Sequence, residues 1–214
     1  EQISNQSGLP FKVFTPFWKH CLKMPEPAAP RSLPRDVTWF QENLDTTPLQ
    51  DLQLLPTSPD WAATWSGLWQ PGSQGAAEKL EGFLQAGIGN YSEGRNHPAL
   101  DCTTRLSPHL HHGEISPRQL WHAARQAAAI TPALDGEVAK FLSEMGWREF
   151  SHHLLHHFPE LEAQPFKERF RHFPWISNKR GLQAWQQGQT GYPLVDAGMR
   201  ELWHTGYMHN RVRM

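Results

Sequence analysis

The pattern of apolar and polar positions changes at about residue 75. Prolines recur throughout the first sixty residues, and the run PEPAAP over 25–30 is typical of an extended linker. From about residue 76, apolar residues recur at helical spacing, and no stretch alternates convincingly with a period of two. The pattern therefore predicts an all-α chain, with an irregular Pro-rich connecting arm over residues 1–74 and a helical region over residues 75–214.

Start and stop signals predict where the main helices lie. Ser116 before Pro117 is a good N-cap followed by proline at the first helical position, and Gly206 is a typical helix stop. The expected helices are 76–88, about 117–129, 135–158 and 194–204, with a further helix beginning near residue 207.

Composition excludes several classes of protein. The mean hydropathy is -0.61 and no apolar run reaches about eighteen residues, so we expect no membrane span. The first residues do not resemble a signal peptide, and we expect both ends of the chain to be cut ends of a longer protein. The two cysteines, Cys21 and Cys102, form no disulfide framework, which favours a reducing cytoplasm. A net charge of -1 means that any nucleic-acid site must come from local clustering of basic residues.

A hydroxyl-rich segment, Thr103-Thr104-Arg105-Leu106-Ser107, follows a polar stretch that contains Tyr91 and Arg95. Side-chain and backbone donors of this kind suit a phosphate or diphosphate, although an ordinary capping loop would have the same composition. Tyr91 and Arg95 are four residues apart and would share a helix face.

One face of the predicted helix 135–158 combines an acceptor, a flat aromatic ring and a guanidinium. The residues at i, i+3, i+4 and i+7 are Glu144, Trp147, Arg148 and Ser151. Such a face suits an extruded nucleobase, which needs stacking and polar contacts at its edge. Gly146 within this helix indicates a close approach, either of another group or of a crossing helix.

Two further segments are candidates for nucleic-acid contact. Residues 167–180 interleave five basic residues with aromatic ones, which is typical of a strand-binding surface but equally of a solvated rim. The last residues place Asn210 and Arg211 at a helix start, where an amide and a guanidinium suit phosphates and base edges.

Four histidines near the end of the long helix raise the possibility of zinc. They form two i,i+4 pairs: His152, His153, His156 and His157. No metalloprotease glutamate lies between them and no third ligand is evident, so we expect no metal and interpret the cluster as an amphipathic helix end.

Taken together, these segments resemble the DNA photolyase and cryptochrome family in order and spacing. The resemblance rests on Tyr91-x-x-x-Arg95, on Thr103 to Ser107, on Trp147-Arg148-Glu149-Phe150, on GYPLVDAGMR over 191–200 and on Met208-His209-Asn210-Arg211. It covers nearly everything from residue 75, and the run FKVFTPF over 11–17 looks like the family's connection after its antenna domain.

The resemblance implies FAD, held in a helical bundle, and repair of cyclobutane pyrimidine dimers in damaged DNA by a monomeric lyase of class I. It implies cofactor contacts from Tyr91, Thr103, Thr104, Arg105, Leu106, Ser107 and Phe141, the last at a position where some members have tryptophan. It implies catalytic roles for Glu144, Trp147, Asn210 and Trp175, with Trp185 as a nearby alternative to Trp175. It implies DNA contacts from Arg95, Glu144, Trp147, Arg148, Ser151, Asn210, Arg211 and Met214.

Asn210 and Met214 favour dimer repair over other members of the family. The rest of the family's FAD site would follow Met214, so we do not expect these 214 residues alone to hold FAD firmly. The rival interpretations are a cryptochrome-like blue-light photoreceptor with the same pocket, a non-enzymatic nucleic-acid-binding helical module, and a helical zinc protein.

Overall fold

The computed structural model describes residues 3–42 and 44–213 and contains helices, turns and no strand in that part of the chain. The predicted all-α class is therefore confirmed. The α-helices are α1 (Phe14–Cys21), α2 (Ser73–Gly82), α3 (Tyr91–Gly94), α4 (Ser107–His111), α5 (Pro117–Ile130), α6 (Asp135–His157), α7 (Lys179–Gln186), α8 (Pro193–Thr205) and α9 (Asn210–Arg213). A π-helical turn, Phe83–Gly87, and short 3-10 turns connect several of them.

The chain folds into two compact units that do not follow its order. The first joins the segment up to Ala29 to Ala76–Ser177, and the second joins Pro30–Gly75 to the segment from Asn178 onward. The sequence predicted a single arm over 1–74 and one helical region over 75–214. The structure divides the chain differently, because the apolar side of α1 packs on α6 and the tryptophan-rich end of the arm packs on α8.

Helix α6 is the centre of the first unit and contacts α1, α3 and α5. The apolar residues of α6 pack against those of the neighbouring helices. The resulting core includes Ala76, Phe83, Ile88, Leu106, Leu120, Ala124, Val138, Phe141 and Leu142. A second cluster, Phe11, Phe17 and Phe150, fixes α1 to the later turns of α6. The predicted helix 135–158 is confirmed, since α6 ends at His157.

Capping residues set the start of α5 and the end of α8 as the sequence predicts. Ser116 forms a capping box with Gln119, in which each side chain bonds the other residue's backbone N–H, and Pro117 follows at the first position. Gly206 ends α8 with a φ of 71°, in the left-handed region that favours glycine. Other boundaries differ: α2 begins at Ser73 and gives way to the π-helical turn, and α9 begins at Asn210 rather than near residue 207.

In the second unit, side chains from the arm bond the last carbonyl groups of α8. The indole N–H of Trp65 donates to the carbonyl of Trp203, that of Trp69 donates to Thr205, and the Thr64 hydroxyl donates to His204. These carbonyls have no partner within the helix, so the contacts satisfy acceptors that would otherwise need water.

The first turn of α8 is held by a buried carboxylate. Asp196 accepts hydrogen bonds from the Thr190 hydroxyl at 2.6 Å and from the backbone N–H groups of Thr190 and Gly191. The hydroxyl bond above all, together with the two N–H bonds and the charge of Arg200, holds the pKa of Asp196 below its usual value against the opposing effect of burial. Arg200 itself donates to the carbonyl of Gly188.

Candidate functional site

A partly buried ion pair joins α6 to the end of α3. Arg95 Nη2 lies 2.8 Å from Glu144 Oε2, and the two side chains are only 11% and 23% exposed. Lys140 Nζ lies 3.5 Å from the other oxygen of the same carboxylate. The Arg95 guanidinium also lies over the Tyr91 ring, 5.8 Å from its centre. The carboxylate of Glu144 is thus held between two cations, and each of its oxygens keeps acceptor capacity for a further donor.

Trp147 lies one turn beyond Glu144 and remains 45% exposed. Its indole stacks on Phe14 of α1, with the ring centres 3.7 Å apart and the planes 11° from parallel. Phe150 meets the same indole edge to face, with centres 6.1 Å apart. The first unit therefore brings together a fixed carboxylate and an exposed, braced indole on one side of α6, as the sequence predicted for this helix face.

The other two predicted residues of this face make local contacts. Arg148 pairs with its neighbour Glu149 at 3.0 Å, and the Ser151 hydroxyl donates to the carbonyl of Trp147 at 2.9 Å. Ser151 is exposed and Arg148 is half-buried, so both lie where a long ligand such as a DNA strand could reach them.

Leu106 anchors the hydroxyl-rich segment in the core of the first unit. Leu106 is 1% exposed and belongs to the core, whereas Thr103, Thr104 and Arg105 are half-buried and Ser107 is exposed. The Thr104 hydroxyl accepts the N–H of Leu106 at 3.2 Å, and Arg105 has a φ of 50°. Arg105 Nε lies 3.2 Å from Asp101 Oδ1. The consecutive residues Thr103, Thr104 and Arg105 carry two hydroxyls and a guanidinium, and donors of these types suit an anionic diphosphate.

Tyr91 and Phe141, both predicted to contact the cofactor, pack against each other in the core. Their ring centres are 5.4 Å apart at 87°, and Phe83 meets both rings. Tyr91 is 6% exposed and Phe141 is 4% exposed. In the described part of the chain, Phe141 thus has the environment of a core residue, and its contact with a cofactor stays a prediction.

The second unit carries Asn210 and Arg211, and Met214 lies outside the described residues. Both described side chains are exposed at the start of α9. The preceding residues, Met208 and His209, are buried, and His209 Nδ1 accepts the N–H of Arg211 at 3.2 Å. Val212 packs so closely on Gly198 of α8 that a Cβ at the glycine would lie 2.3 Å from it. The helix start that presents Asn210 is therefore held by the residues on either side of it.

The basic and aromatic segment is open to solvent. Trp175 is 84% exposed and packs only partly on Phe173, at 4.7 Å between ring centres, while Phe170 and Phe173 are nearly half exposed. Trp185, the alternative to Trp175, is 47% exposed on α7 of the second unit. The roles of Trp175 and Trp185 in electron transfer stay predictions.

One histidine of the cluster, His153, is buried and packs in the second aromatic cluster, whereas His152 and His156 are exposed. His153 Nε2 accepts the N–H of Phe11 at 3.1 Å, which ties the start of the arm to α6. Within residues 3–42 and 44–213, no group of three or more His, Cys, Asp or Glu side chains is arranged to hold a metal ion. In the same ranges, no helix has the length and apolar character needed to cross a membrane.

A cavity of about 770 Å³ lies elsewhere in the first unit, between α1, the segment after it, α5 and α6. Its walls are largely apolar and include Trp18, Trp121, Leu142 and Met145. Burial raises the pKa of the Cys21 thiol on its wall. The cavity contains none of the predicted site residues, so we place the candidate site on the exposed face of α6 and on the hydroxyl-rich segment.

Comparison with known proteins shows what the chain is similar to. The family model for the FAD binding domain of DNA photolyase matches residues 141–214. A deoxyribodipyrimidine photo-lyase of Agrobacterium fabrum is 44% identical over 213 residues, covering 100% of this chain and 44% of the relative. The chain belongs to the DNA photolyase and cryptochrome family.

Solved and curated members show the breadth of the family. The crystal structure of a class III photolyase from Agrobacterium tumefaciens is similar, with a TM-score of 0.92 and 43% sequence identity. The match covers 99% of this chain and 44% of the photolyase chain. Cryptochrome-1 of Arabidopsis thaliana is 34% identical, and the match covers 100% of this chain and 32% of the length of the cryptochrome. This photolyase-family chain therefore spans less than half the length of these relatives. The similar structure is of class III, so the expected class I subtype gains no support from it.

Sequence reasoning missed two residues that shape the site of this photolyase-family chain. Phe14 stacks on Trp147 from 133 positions earlier in the sequence, and Lys140 shares the Glu144 carboxylate. Lys140 could have been found, since it lies four residues before Glu144 on the same helix face. Phe14 could not, because only the folded path of the arm brings it to α6.

Proposed function

We propose that the parent protein of this chain is a deoxyribodipyrimidine photo-lyase, a lyase that uses light and FAD to repair cyclobutane pyrimidine dimers in DNA. The observation that carries the proposal is the pairing, on one side of α6, of a half-exposed indole with a carboxylate fixed by Arg95 and Lys140. The photo-lyase of Agrobacterium fabrum, similar over the whole of this chain, supports it.

FAD suits the donors of the hydroxyl-rich segment. The hydroxyls of Thr103 and Thr104 and the guanidinium of Arg105 would hold the anionic diphosphate, and Leu106 would keep the segment in place from the core. The chemistry that bound, reduced FAD supplies is a light-driven electron transfer to the dimer, with return of the electron once the cyclobutane ring has opened.

The residues of α6 would receive the extruded dimer. Trp147 offers its exposed face for stacking, a contact worth on the order of 1–3 kcal/mol per base. Glu144 would accept a hydrogen bond from a base edge, and the ion pairs with Arg95 and Lys140 hold its carboxylate in position for that contact. Arg95 would draw the DNA backbone towards the site, while Arg148 and Ser151 would contact the strand at its rim. Asn210 and Arg211 of the second unit would offer an amide and a guanidinium to DNA.

The parent would work as a cytoplasmic monomer. The two cysteines, Cys21 and Cys102, are free, which is usual for proteins of a reducing compartment.

A cryptochrome-like photoreceptor is the second candidate, since Cryptochrome-1 of Arabidopsis thaliana is 34% identical over this chain. Such a protein would share the flavin site without repairing DNA. The face of α6 that carries Glu144, Trp147, Arg148 and Ser151, here called the lesion face, favours repair. A photoreceptor has no need of an exposed indole beside a fixed carboxylate.

The test is the visible spectrum and the repair activity of the purified full-length parent. We expect a flavin absorption band, and loss of dimers from an irradiated oligonucleotide under blue light with a reductant. A flavin band without repair would favour the photoreceptor, and a folded parent that takes up no FAD would refute both.

Trp147→Ala in that parent should weaken binding of dimer-containing DNA at least about tenfold, from the loss of stacking. Trp203→Ala is a suitable control, because Trp203 is 59% exposed on α8 of the second unit and belongs to none of the predicted sites. Equal affinities for Trp147→Ala and the unchanged parent would exclude the stacking role.

A further inference from the structure

We infer that Phe14 is a positioning residue for lesion recognition, acting by holding the indole of Trp147 from its inner side. The inference rests on the proposed function, since it concerns the residue proposed to stack on the dimer. The observation behind it is the contact between the two rings, 3.7 Å between centres and 11° from parallel.

The orientation of the Trp147 side chain depends on the rings around it. It is 45% exposed on the surface of a helix, where a tryptophan side chain without neighbours would populate several rotamers. Phe14 covers one side of the indole and Phe150 meets it edge to face, so the ring is held in one orientation before any ligand arrives. A preorganised ring avoids the entropy cost of ordering on binding.

Phe14 is itself fixed from behind. Its ring lies nearly parallel to that of Trp18, at 10° and 6.3 Å between centres, and it meets Phe150 at 5.9 Å. Trp18 in turn lies against Gly146 of α6, where a Cβ would be only 2.5 Å from the indole. The three rings of Trp18, Phe14 and Trp147 thus form a column that starts against the backbone of α6 and ends at the exposed face.

The column leaves the outer face of Trp147 for the ligand. An aromatic pair of this kind contributes about 0.5–1.5 kcal/mol beyond the burial of its surface. If the Phe14–Trp147 stack forms only when the indole has the orientation that binds the dimer, this free energy corresponds to roughly two- to thirteenfold in affinity. Phe14 needs no contact with DNA for this effect, which distinguishes it from the residues of the lesion face.

The test compares five variants of the full-length parent: Phe14→Ala, Phe14→Tyr, Phe17→Leu, Trp147→Ala and the double variant of Phe14→Ala with Trp147→Ala. The affinity of each is measured for an oligonucleotide with one thymine dimer and for the same oligonucleotide undamaged. Phe17 lies on the same helix, is 1% exposed and packs on Phe150 and His153, so Phe17→Leu weakens the docking of α1 without removing the stack.

We expect Phe14→Ala to weaken binding of the damaged oligonucleotide about three- to tenfold and to leave binding of the undamaged one unchanged. Phe14→Tyr keeps the ring and should stay within about twofold of the parent. Phe17→Leu should lower the midpoint of thermal unfolding and leave the ratio of the two affinities unchanged. Phe14→Ala added to Trp147→Ala should cause no further loss, because the two residues act through one contact.

A second readout does not depend on DNA. With 5-fluorotryptophan incorporated, the ¹⁹F resonance that Trp147→Ala removes should shift in Phe14→Ala and not in Phe17→Leu. An unmoved resonance, or an unchanged affinity ratio in Phe14→Ala where Trp147→Ala loses affinity, overturns the positioning role alone. If Trp147→Ala itself keeps full affinity, the stacking role in the proposed function fails, and the inference fails with it.

Discussion

Replacing Gly146 with alanine tests the packing that supports the candidate site. A Cβ at this position would lie 2.5 Å, 2.7 Å and 3.0 Å from three carbons of the Trp18 indole, where ordinary contact begins at 3.4 Å. The indole is a rigid ring and cannot fold away as a flexible side-chain end could. It is also confined by the parallel ring of Phe14 and the edge contact with Trp121.

Two effects of opposite sign compete in Gly146→Ala. Alanine in place of glycine inside a helix is worth up to about 1 kcal/mol of stability. Overpacking a filled contact typically costs about 1–3 kcal/mol, and the shift of nearly 1 Å demanded here, read from the 2.5 Å and 3.4 Å distances, favours the upper part of that range. We therefore expect a net loss of about 1–2 kcal/mol in the free energy of unfolding.

The control is Gly136→Ala in the first turn of the same helix. A Cβ there meets nothing within 4 Å, so only the helix preference remains and stability should rise by up to about 1 kcal/mol. Urea denaturation followed by far-ultraviolet circular dichroism measures both variants. If Gly146→Ala is as stable as Gly136→Ala, Trp18 does not lie against α6 as described, and the support inferred for Trp147 is lost.

Two further substitutions test other parts of the structure. Leu106→Ala should lower the free energy of unfolding by about 2–5 kcal/mol, because the side chain is 1% exposed. The control Leu100→Ala, at a residue that is 47% exposed, should change that free energy by less than about 0.5 kcal/mol. Equal effects of the two substitutions in urea denaturation would show that Leu106 does not anchor the hydroxyl-rich segment. Asp196→Asn tests a carboxyl whose folded pKa lies below its ordinary value of 3.8. The stability that the carboxylate contributes is fully present above pH 3.8 and is lost as the pH falls through the folded pKa. The unfolding curves of Asp196→Asn and the parent should therefore differ at neutral pH and converge in acid. A difference that does not depend on pH would contradict the lowered pKa of Asp196.

Local signals in the sequence predicted much of the helical framework. The N-cap at Ser116, the proline at 117 and the stop at Gly206 each act within a few residues, so the helices they bound could be predicted. Spacing along α6 likewise predicted that Glu144 and Trp147 would share a face, because a helix turns once in 3.6 residues.

Contacts between distant segments could not be predicted in this way. Composition presented the first 74 residues as one arm, yet its two parts belong to different units. Trp65 and Trp69 donate hydrogen bonds to carbonyl groups of α8, more than 130 positions later. The residue spacing in the arm and in α8 does not indicate that the two segments are in contact. The burial of Phe141 among Phe83 and Tyr91 has the same cause, since three separate stretches of chain create that environment.

The path of the arm also explains how a surface site can be well ordered. Within its own helix, the exposed indole meets Phe150 edge to face, while its neighbours Arg148 and Glu149 pair with each other. The stacking contact on the face of the indole comes from α1, through Phe14. The buried residues Phe17 and Phe150 in turn keep α1 in place. The geometry of the lesion face therefore depends on residues that need never touch DNA. Loss of the Phe14 ring should for this reason alter recognition of the lesion before it alters general DNA affinity.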